Sequence, residues 1–366
     1  MNINNLSLEE KIGQMCMVGI NSNNINVLYK LIKENKIGGV ILYKKNYSSY
    51  EEMLDVIKKL KIANSDNKIP LFISIDQEGG RVNRMPNEFK NIKNIFDLSS
   101  LGNIKLIREA SDVTSRMLVD SGINMCFGPV FDIYNGTNSN VLFNRCFSDK
   151  VDAVSEYGTC YMRQMQHNNL ISVIKHFPGH GSSSKDSHLL IPYVKNYNEI
   201  FEKHILPFEN AIKNGSDAIM VGHLVIKNIT DGLPASISRS FITKYLRERY
   251  NYDGLVITDD IKMSAVNLLY KFSSFERAFT SGSDIILFKY NNGDEKVINK
   301  IVDKIKNGTM DIKDINSSVE RILRIKSKYK ILDDYSKLGC DVIRINKEID
   351  KINDIYDKGV VNGKEK

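Results

Sequence analysis

The chain of 366 residues lacks any long hydrophobic run and any recognisable N-terminal leader. No apolar stretch approaches the roughly 20 residues that a membrane-spanning helix needs, which excludes a bilayer span. The first residues, MNINNLSLEEKIGQM, have neither a basic start nor an apolar stretch, so the sequence as given predicts no signal peptide. We therefore expect a cytoplasmic protein, or a secreted one if a signal was removed.

Cysteine is scarce and dispersed, with five residues and no Cys-x-x-Cys pair. This pattern argues against a disulfide framework and against a zinc site. Cys16, Cys126 and Cys160 fall in apolar or helical stretches, where we expect core thiols. The formal net charge of +7 is modest for this length and the lysines lie near acidic residues, so we expect no nucleic-acid partner.

Short apolar runs alternate with longer amphipathic segments, and no linker or low-complexity tract divides the chain. The apolar runs predict eight strands over Met15–Ile20, Gly38–Leu42, Leu71–Asp76, Ile123–Phe127, Ile171–Lys175, Ala218–Gly222, Leu255–Thr258 and Asp284–Leu287. Helical spacing predicts helices over Ile104–Asp120, Asp149–His167, Asn198–Asn214 and Ser238–Tyr250. Together they favour an α/β fold, a single-domain (β/α)₈ TIM-like barrel. A doubly wound open sheet is disfavoured because no Gly-x-Gly-x-x-Gly follows a strand.

We expect the barrel domain to cover residues 1–335, with one or two helices after about residue 295. Residues 336–366 then form a charged, partly ordered tail, and Lys347–Lys366 is expected to fray. We expect the protein to be a monomer.

Ionisable residues directly follow five of the predicted strands. They lie in the segments Asp76–Arg81, Gly128–Asp132, Lys175–Gly181, Gly222–His223 and Thr258–Asp260. In a barrel the C-terminal ends of the strands meet at one rim, which is where catalytic residues lie. Burial of such groups is costly unless they pair or bind something, so the pattern predicts a functional pocket.

The residue types of that pocket suit a sugar and its hydrolysis. Donors and acceptors for hydroxyl groups are supplied by Asp76, Arg81, Arg145, Lys175 and His176. Asp259 at a strand end is the candidate nucleophile, and its neighbour Asp260 is the rival. His188 is the candidate proton donor because its ordinary pKa lies near neutrality, and Asp186 can fix its tautomer. Glycines and serines at 179–184 indicate a mobile loop.

A purely structural interpretation of each residue stays open at this point. Asp76 can cap the next element, and Lys175 and Asp259 can form a buried ion pair across the barrel mouth. The segment Asp186–His188 can form a turn with a solvated histidine. The residue types complement one another, which favours the functional interpretation.

Six segments carry a closer resemblance. They are IDQEGGRV (75–82), GPVFDI (128–133), NRCF (144–147), KHFPGHG (175–181), DSH (186–188) and TDDIKM (258–263). In this order they resemble family-3 glycoside hydrolases, and more closely the single-domain β-N-acetylglucosaminidase (β-hexosaminidase) branch. The resemblance runs from Leu6 to about Lys328. It departs at Ser182-Ser183, where Asp-Thr is common, and at Cys146, where a serine is usual.

The resemblance implies a (β/α)₈-like fold and a retaining, two-step displacement with no cofactor and no metal. It implies that Asp259 forms the covalent glycosyl intermediate, and that His188, paired with Asp186 on a flexible loop, is the acid/base. It assigns sugar contacts to Asp76, Arg81, Arg145, Lys175 and His176. The implied substrate is a terminal β-linked N-acetylglucosamine, typically in peptidoglycan (muropeptide) fragments that bear anhydro-muramic acid.

Other functions on the same fold stay open. An N-acetylglucosaminide phosphorylase is one, because a histidine repels an attacking phosphate less than a glutamate does; a β-glucosidase is another. A metal-dependent hydrolase is disfavoured because Pro178-Gly179 keeps His176 and His180 off one helix face and no His-Glu-x-x-His occurs. A catalytically inactive sugar-binding protein is the remaining alternative.

Overall fold

Eight parallel strands form a closed barrel in the computed structural model of the chain. The structure describes residues 3–134, 136, 142–182, 192–194, 198, 200–263, 266 and 272–363. The barrel strands are β1 (Cys16–Gly19), β2 (Gly39–Leu42), β3 (Phe72–Ile75), β4 (Met125–Cys126), β5 (Ile171–Phe177), β6 (Ala218–Val221), β7 (Leu255–Thr258) and β8 (Ile286–Lys289). Each strand overlaps the apolar run that predicts it, and the predicted (β/α)₈ barrel is confirmed.

The barrel closes between its last two strands. The order around the sheet is β8-β1-β2-β3-β4-β5-β6-β7, with parallel pairing throughout. A further parallel bridge joins Ile257 in β7 to Ile285, directly before β8. At this seam the Thr258 amide donates to the Ile285 carbonyl at 3.0 Å. Because the closed sheet is parallel, all eight strands end at the same rim.

Helices surround the barrel and cover its outer face. They span Leu8–Gln14, Asn26–Asn35, Tyr50–Ala63, Ile95–Ser100, Ile104–Asp120, Val151–His167, Leu206–Lys213, Phe272–Thr280, Glu295–Lys306, Ile312–Lys328 and Val342–Gly363. The first begins with a capping box, in which the Ser7 side chain accepts from the Glu10 amide and the Glu10 carboxylate accepts from the Ser7 amide. Every residue of β1, β2, β3, β6 and β7 is buried, as unbroken apolar runs predict for strands covered on both faces. None of the described helices is both long enough and apolar enough to span a bilayer.

Two of the four predicted helices are less regular than the sequence indicates. Ile104–Asp120 is confirmed as predicted, and the second helix spans Val151–His167. The third divides into a π-helical turn over Ile200–His204 and an α-helix that starts at Leu206. Pro207 explains the division, because proline is tolerated in the first turn of a helix but not in its interior. The fourth is a π-helix over Phe241–Glu248.

The cysteines hold no disulfide among the described residues. Cys16 and Cys126 are buried, as predicted, whereas Cys160 is half-buried at the helix surface. Burial raises the pKa of the Cys16 and Cys126 thiols to about 12, so both stay protonated at neutral pH.

The C-terminal residues differ from the predicted frayed tail. Val342–Gly363 is helical, and this C-terminal helix packs on the helix Ile104–Asp120. Ile345, Ile349 and Ile352 are buried at helical spacing. This apolar stripe orders the segment in spite of its charge. The domain boundary at residue 335 stays a prediction.

A buried carboxylate reinforces the barrel seam, where strand pairing is shortest. Asp284 is fully buried two residues before β8, and its amide donates to the Val256 carbonyl of β7 at 2.7 Å. Its carboxylate accepts from the Val256 amide at 2.7 Å and from Arg247 at 2.5 Å. Arg321 donates to the other oxygen at 3.0 Å. The Asp284 side chain, which lies just before β8, therefore binds the neighbouring strand β7 and two arginines.

Asp284→Ala should destabilise the fold by about 3–5 kcal/mol, because the largely buried Arg247 loses its counter-charge and Arg321 keeps only its pair with the exposed Asp253. The measurement is urea unfolding at pH 7. Asp55→Ala is the control, since the Asp55–Lys59 pair is half-exposed and should be worth about 0.5 kcal/mol or less. Equal losses in the two variants would contradict a special role for Asp284.

Candidate active site

A cavity of about 370 Å³ opens at the rim where the strands end. This volume lies within the range that is usual for small-molecule sites. Most of the residues that line it carry polar or charged side chains. They are Tyr43, Asp76, Glu78, Arg84, Arg145, Lys175, His176, His180, Asp259, Asp260, Lys262 and Lys289. The predicted pocket is therefore present, and it is lined by residues at or just beyond the ends of several barrel strands.

Glu78 lies between two cations on one wall of the cavity. Arg145 donates from Nε to Glu78 Oε2 at 2.7 Å and from Nη2 to Oε1 at 2.8 Å. Lys175 Nζ lies 2.7 Å from Glu78 Oε1 and 2.7 Å from Asp76 Oδ1. The Lys175 side chain is 2% exposed and that of Glu78 is 5% exposed. One strand and the loops after two others thus meet in one largely buried ion cluster.

The charges in this cluster stabilise one another against burial. Burial raises the pKa of Glu78, but Arg145 and Lys175 outweigh it and hold that pKa well below its ordinary value. Burial lowers the pKa of Lys175, yet Asp76 and Glu78 leave it above its ordinary value. Both groups are therefore ionised at neutral pH, and the cations stay available as hydrogen-bond donors.

Glu78 and Arg84 reach the cavity because the chain turns sharply after β3. We call residues 78–82 the active-site turn. Gly79 and Gly80 adopt positive φ angles of 83° and 53°, a conformation that glycine adopts without steric cost. The Glu78 amide donates to the Val82 carbonyl at 2.9 Å and closes the turn. Buried Gln77 then accepts from the Arg84 amide at 2.8 Å and fixes the exit of the turn.

Asp259 directly follows β7 and lines the cavity. Its amide donates to the Val221 carbonyl of β6 at 2.9 Å, and its Oδ1 accepts from the Asp260 amide at 2.7 Å. Burial raises the pKa of Asp259, but His223, His176, the Asp260 amide and Lys175 together bring that pKa below its ordinary value. An ionised carboxylate in a cavity lined by hydrogen-bond donors is suited to attack an electrophilic carbon.

Asp260 also lines the cavity, but its carboxylate is engaged with the backbone. Its Oδ1 accepts from the Lys262 amide at 3.0 Å and from the Lys289 amide at 3.3 Å. Burial raises the pKa of Asp260. The candidate nucleophile and its rival therefore both border the pocket, and their contacts and pKa directions distinguish them.

A fully buried carboxylate, Asp132, orients His176 at the end of β5. Asp132 Oδ2 lies 2.7 Å from His176 Nδ1, and Oδ1 accepts from the His180 amide at 2.6 Å. Burial raises the pKa of Asp132, and the nearby histidines bring it below its ordinary value. Burial lowers the pKa of His180, whose Nε2 has no hydrogen-bond partner among the described residues. His180 is therefore a neutral imidazole at pH 7.

The structure brings together most of the sugar-binding residues that the sequence predicts. Five predicted residues line one cavity: Asp76, Arg145, Lys175, His176 and Asp259. Arg81 is exposed and is not among the lining residues, whereas Arg84, three positions later, is. The predicted contact of Arg81 with the sugar stays a prediction.

Sequence reasoning assigned no role to Glu78, Arg84 or Asp132. All three lie inside or beside segments that it singled out, IDQEGGRV and GPVFDI. Glu78 could have been found from the two cations already predicted in the pocket, Lys175 and Arg145. Buried cations need a carboxylate to balance their charge. For Arg84 no such signal exists, because the direction of the chain after Gly79-Gly80 depends on tertiary contacts.

The predicted acid/base pair, Asp186 and His188, lies outside the described residues, and its role stays a prediction. Within the described part of the chain, no three His, Cys, Asp or Glu side chains cluster in a way that could hold a metal ion.

Known proteins share both this sequence pattern and this fold. Residues 7–325 match the family described as "Glycosyl hydrolase family 3 N terminal domain". A beta-hexosaminidase of Psychromonas ingrahamii is 34% identical over 273 residues, which cover 71% of this chain and 79% of the relative. An uncharacterized secreted glycosyl hydrolase of Arthroderma benhamiae is 31% identical over 82% of this chain and 88% of its own length.

A solved structure gives the same result for the fold. The glycoside hydrolase family 3 beta-N-acetylglucosaminidase from Paenibacillus sp. superposes with a TM-score of 0.88 at 29% identity, covering 95% of this chain and 68% of that chain. The family match over residues 7–325 includes all eight barrel strands and the residues that line the cavity. The chain belongs to glycosyl hydrolase family 3.

Proposed function

We propose that the protein is an exo-acting, retaining β-N-acetylglucosaminidase that removes terminal β-linked N-acetylglucosamine. The observation that carries the proposal is the ionised carboxylate of Asp259, set in one cavity with Lys175, Arg145 and Asp76. The names of the relatives, beta-hexosaminidase and beta-N-acetylglucosaminidase, support the same substrate class.

In the first step, Asp259 attacks the anomeric carbon of the bound sugar. A bond forms between its carboxylate oxygen and that carbon while the bond to the leaving oxygen breaks with its electron pair. His188 gives its proton to the leaving oxygen, and Asp186 balances the charge of His188 beforehand. The products are a glycosyl-Asp259 ester and the free aglycone alcohol.

In the second step, His188 acts as the base. It takes a proton from a water molecule whose oxygen attacks the anomeric carbon, and the ester bond to Asp259 breaks. The carboxylate of Asp259 and the protonated His188 are restored. Two inversions at the same carbon leave the sugar with its original β configuration.

The ion cluster holds the sugar during both steps. Lys175 and Arg145 keep their charges and can donate to hydroxyl groups, while Asp76 can accept from them. His176, oriented by Asp132, adds a further polar contact, and Arg81 stays in the proposal as a predicted contact. We add Arg84 because it lines the cavity.

The natural substrate in this proposal is a peptidoglycan fragment with N-acetylglucosamine at its non-reducing end. Such a fragment carries the terminal sugar that an exo-acting enzyme needs. No cofactor takes part in either step.

The first experiment compares 4-nitrophenyl N-acetyl-β-glucosaminide with the matching β-glucoside, each with and without phosphate. We expect strong preference for the N-acetyl sugar and no effect of phosphate, followed by release of N-acetylglucosamine from muropeptides. Preference for the plain glucoside would contradict the substrate class. A sugar 1-phosphate formed only with phosphate would contradict hydrolysis.

Asp259→Ala should lower kcat/KM on the aryl glycoside by about 10⁴-fold, because the neighbouring Asp260 carboxylate is held by backbone amides and does not replace it as nucleophile. Binding of N-acetylglucosamine, measured by calorimetry, should persist because the ion cluster is intact. Asp260→Asn is the matched control. Its side-chain oxygen can still accept the Lys262 and Lys289 amides, so we expect a loss of less than about tenfold. A larger loss for Asp260→Asn than for Asp259→Ala would mean that Asp260 is the nucleophile.

His188→Ala should lower turnover of substrates with poor leaving groups by about 10²–10⁴-fold. Activated aryl glycosides should lose far less, because their leaving oxygen needs little protonation. The measurement is kcat/KM on an N-acetylglucosamine disaccharide and on the 4-nitrophenyl glycoside, with Ser187→Ala as the neighbouring control. Equal losses on both substrates would contradict the acid role of His188.

A further inference from the structure

Two asparagines of the C-terminal helix bind the backbone of the segment that follows the active-site turn. Asn346 accepts from the Lys90 amide at 2.8 Å and donates to the Glu88 carbonyl at 2.8 Å. Asn353, seven residues later, accepts from the Lys93 amide at 3.0 Å and donates to the Asn91 carbonyl at 3.1 Å. We call residues 88–93 the bracing segment.

Each asparagine thus satisfies one donor and one acceptor of the bracing segment, as a neighbouring strand would. The seven-residue spacing places both side chains on one face of the helix. Lys90–Asp350 and Lys93–Asp357 pair beside them at 2.7 and 3.0 Å, with the same spacing between the aspartates. Phe89 and Ile92 anchor the segment in the core. Exposed ion pairs contribute little to stability, so the amide contacts are the main polar link between the segment and the C-terminal helix.

The bracing segment in turn holds the active-site turn. The Gly80 amide donates to the Ile92 carbonyl at 2.9 Å, and Asn91 donates to the Gly80 carbonyl at 2.5 Å. The two parts approach so closely that a Cβ atom added at Gly79 would lie 2.6 Å from the Ile92 side chain. A shift of the segment would therefore move the turn with it.

The turn carries the groups that the cavity depends on. Glu78 is the first residue of the turn, and its carboxylate pairs with both Lys175 and Arg145. Arg84 follows it, with its amide bound to Gln77. Hydrogen bonds join the helix to the bracing segment and the bracing segment to Gly80, and the chain itself joins Gly80 to Glu78.

We infer that Asn346 and Asn353 are positioning residues for substrate binding, acting through the bracing segment and the active-site turn on Glu78 and Arg84. The inference rests on the proposed function, since it assigns the helix a part in sugar binding. The buried stripe of Ile345, Ile349 and Ile352 anchors the helix independently of the two asparagines. Their substitution should therefore leave the helix docked and loosen only the contact with the bracing segment.

The test compares Asn346→Ala/Asn353→Ala with Lys347→Ala/Asp354→Ala in the full chain. Each control residue is the exposed neighbour of one asparagine, and the control pair leaves net charge unchanged. At a temperature where circular dichroism shows both proteins folded, we expect kcat/KM of the asparagine variant to fall about tenfold, mainly through KM. The control variant should stay within about twofold of the parent protein.

Amide hydrogen exchange gives a readout that does not need activity. Loss of the asparagines should speed exchange at Lys90 and Lys93 directly, and also at Glu78, Gly80 and Arg84, which the asparagines do not touch. A lower melting temperature with unchanged KM and unchanged exchange at residues 78–84 would overturn the inference. If the parent protein hydrolyses no N-acetylglucosaminide, the proposed function fails, and exchange at residues 78–84 still decides whether the helix positions the turn.

Discussion

Two buried cations at the rim of the barrel need a carboxylate between them, and Glu78 provides it. Lys175 comes from β5 and Arg145 from the loop after β4, so the two side chains approach from different parts of the chain. An unpaired ammonium or guanidinium buried there would cost several kcal/mol. The contacts of both cations with one carboxylate remove that cost and keep them charged. Glu78 therefore helps to keep two charged hydrogen-bond donors at the cavity.

The position of Glu78 depends on an outer layer as well as on the barrel. A turn with two glycines in positive φ brings the carboxylate back over the strand ends. Residues 88–93 lie against that turn, and the C-terminal helix lies against residues 88–93. A segment rich in charge at the end of the chain thus supports polar groups that are distant in sequence. The connection consists of side-chain hydrogen bonds to backbone amides and carbonyls at or near the surface of the protein.

The other wall of the cavity depends on how the barrel closes. Asp259 and Asp260 follow β7 beside the seam, and they differ in what surrounds them. The Asp260 carboxylate binds amides near the ends of β7 and β8, and burial raises its pKa. Nearby positive charge outweighs burial at Asp259 and brings its pKa below the ordinary value. Two identical side chains, adjacent in sequence, therefore differ in role: the Asp260 carboxylate binds backbone amides, and the Asp259 carboxylate is ionised beside the cavity.

The sequence by itself determined the barrel, because a strand covered on both faces needs an unbroken apolar run and eight such runs are present. It also determined that Asp76, Lys175, His176 and Asp259 meet, since parallel strands in a closed sheet end at one rim. Only the tertiary structure decided that Arg84 rather than Arg81 borders the cavity, and that Glu78 holds two cations. Those outcomes depend on the path of the chain through the Gly79-Gly80 turn. That turn lies against residues 88–93, which in turn contact the C-terminal helix. Such contacts join residues more than 250 positions apart, and no local pattern of residues encodes them.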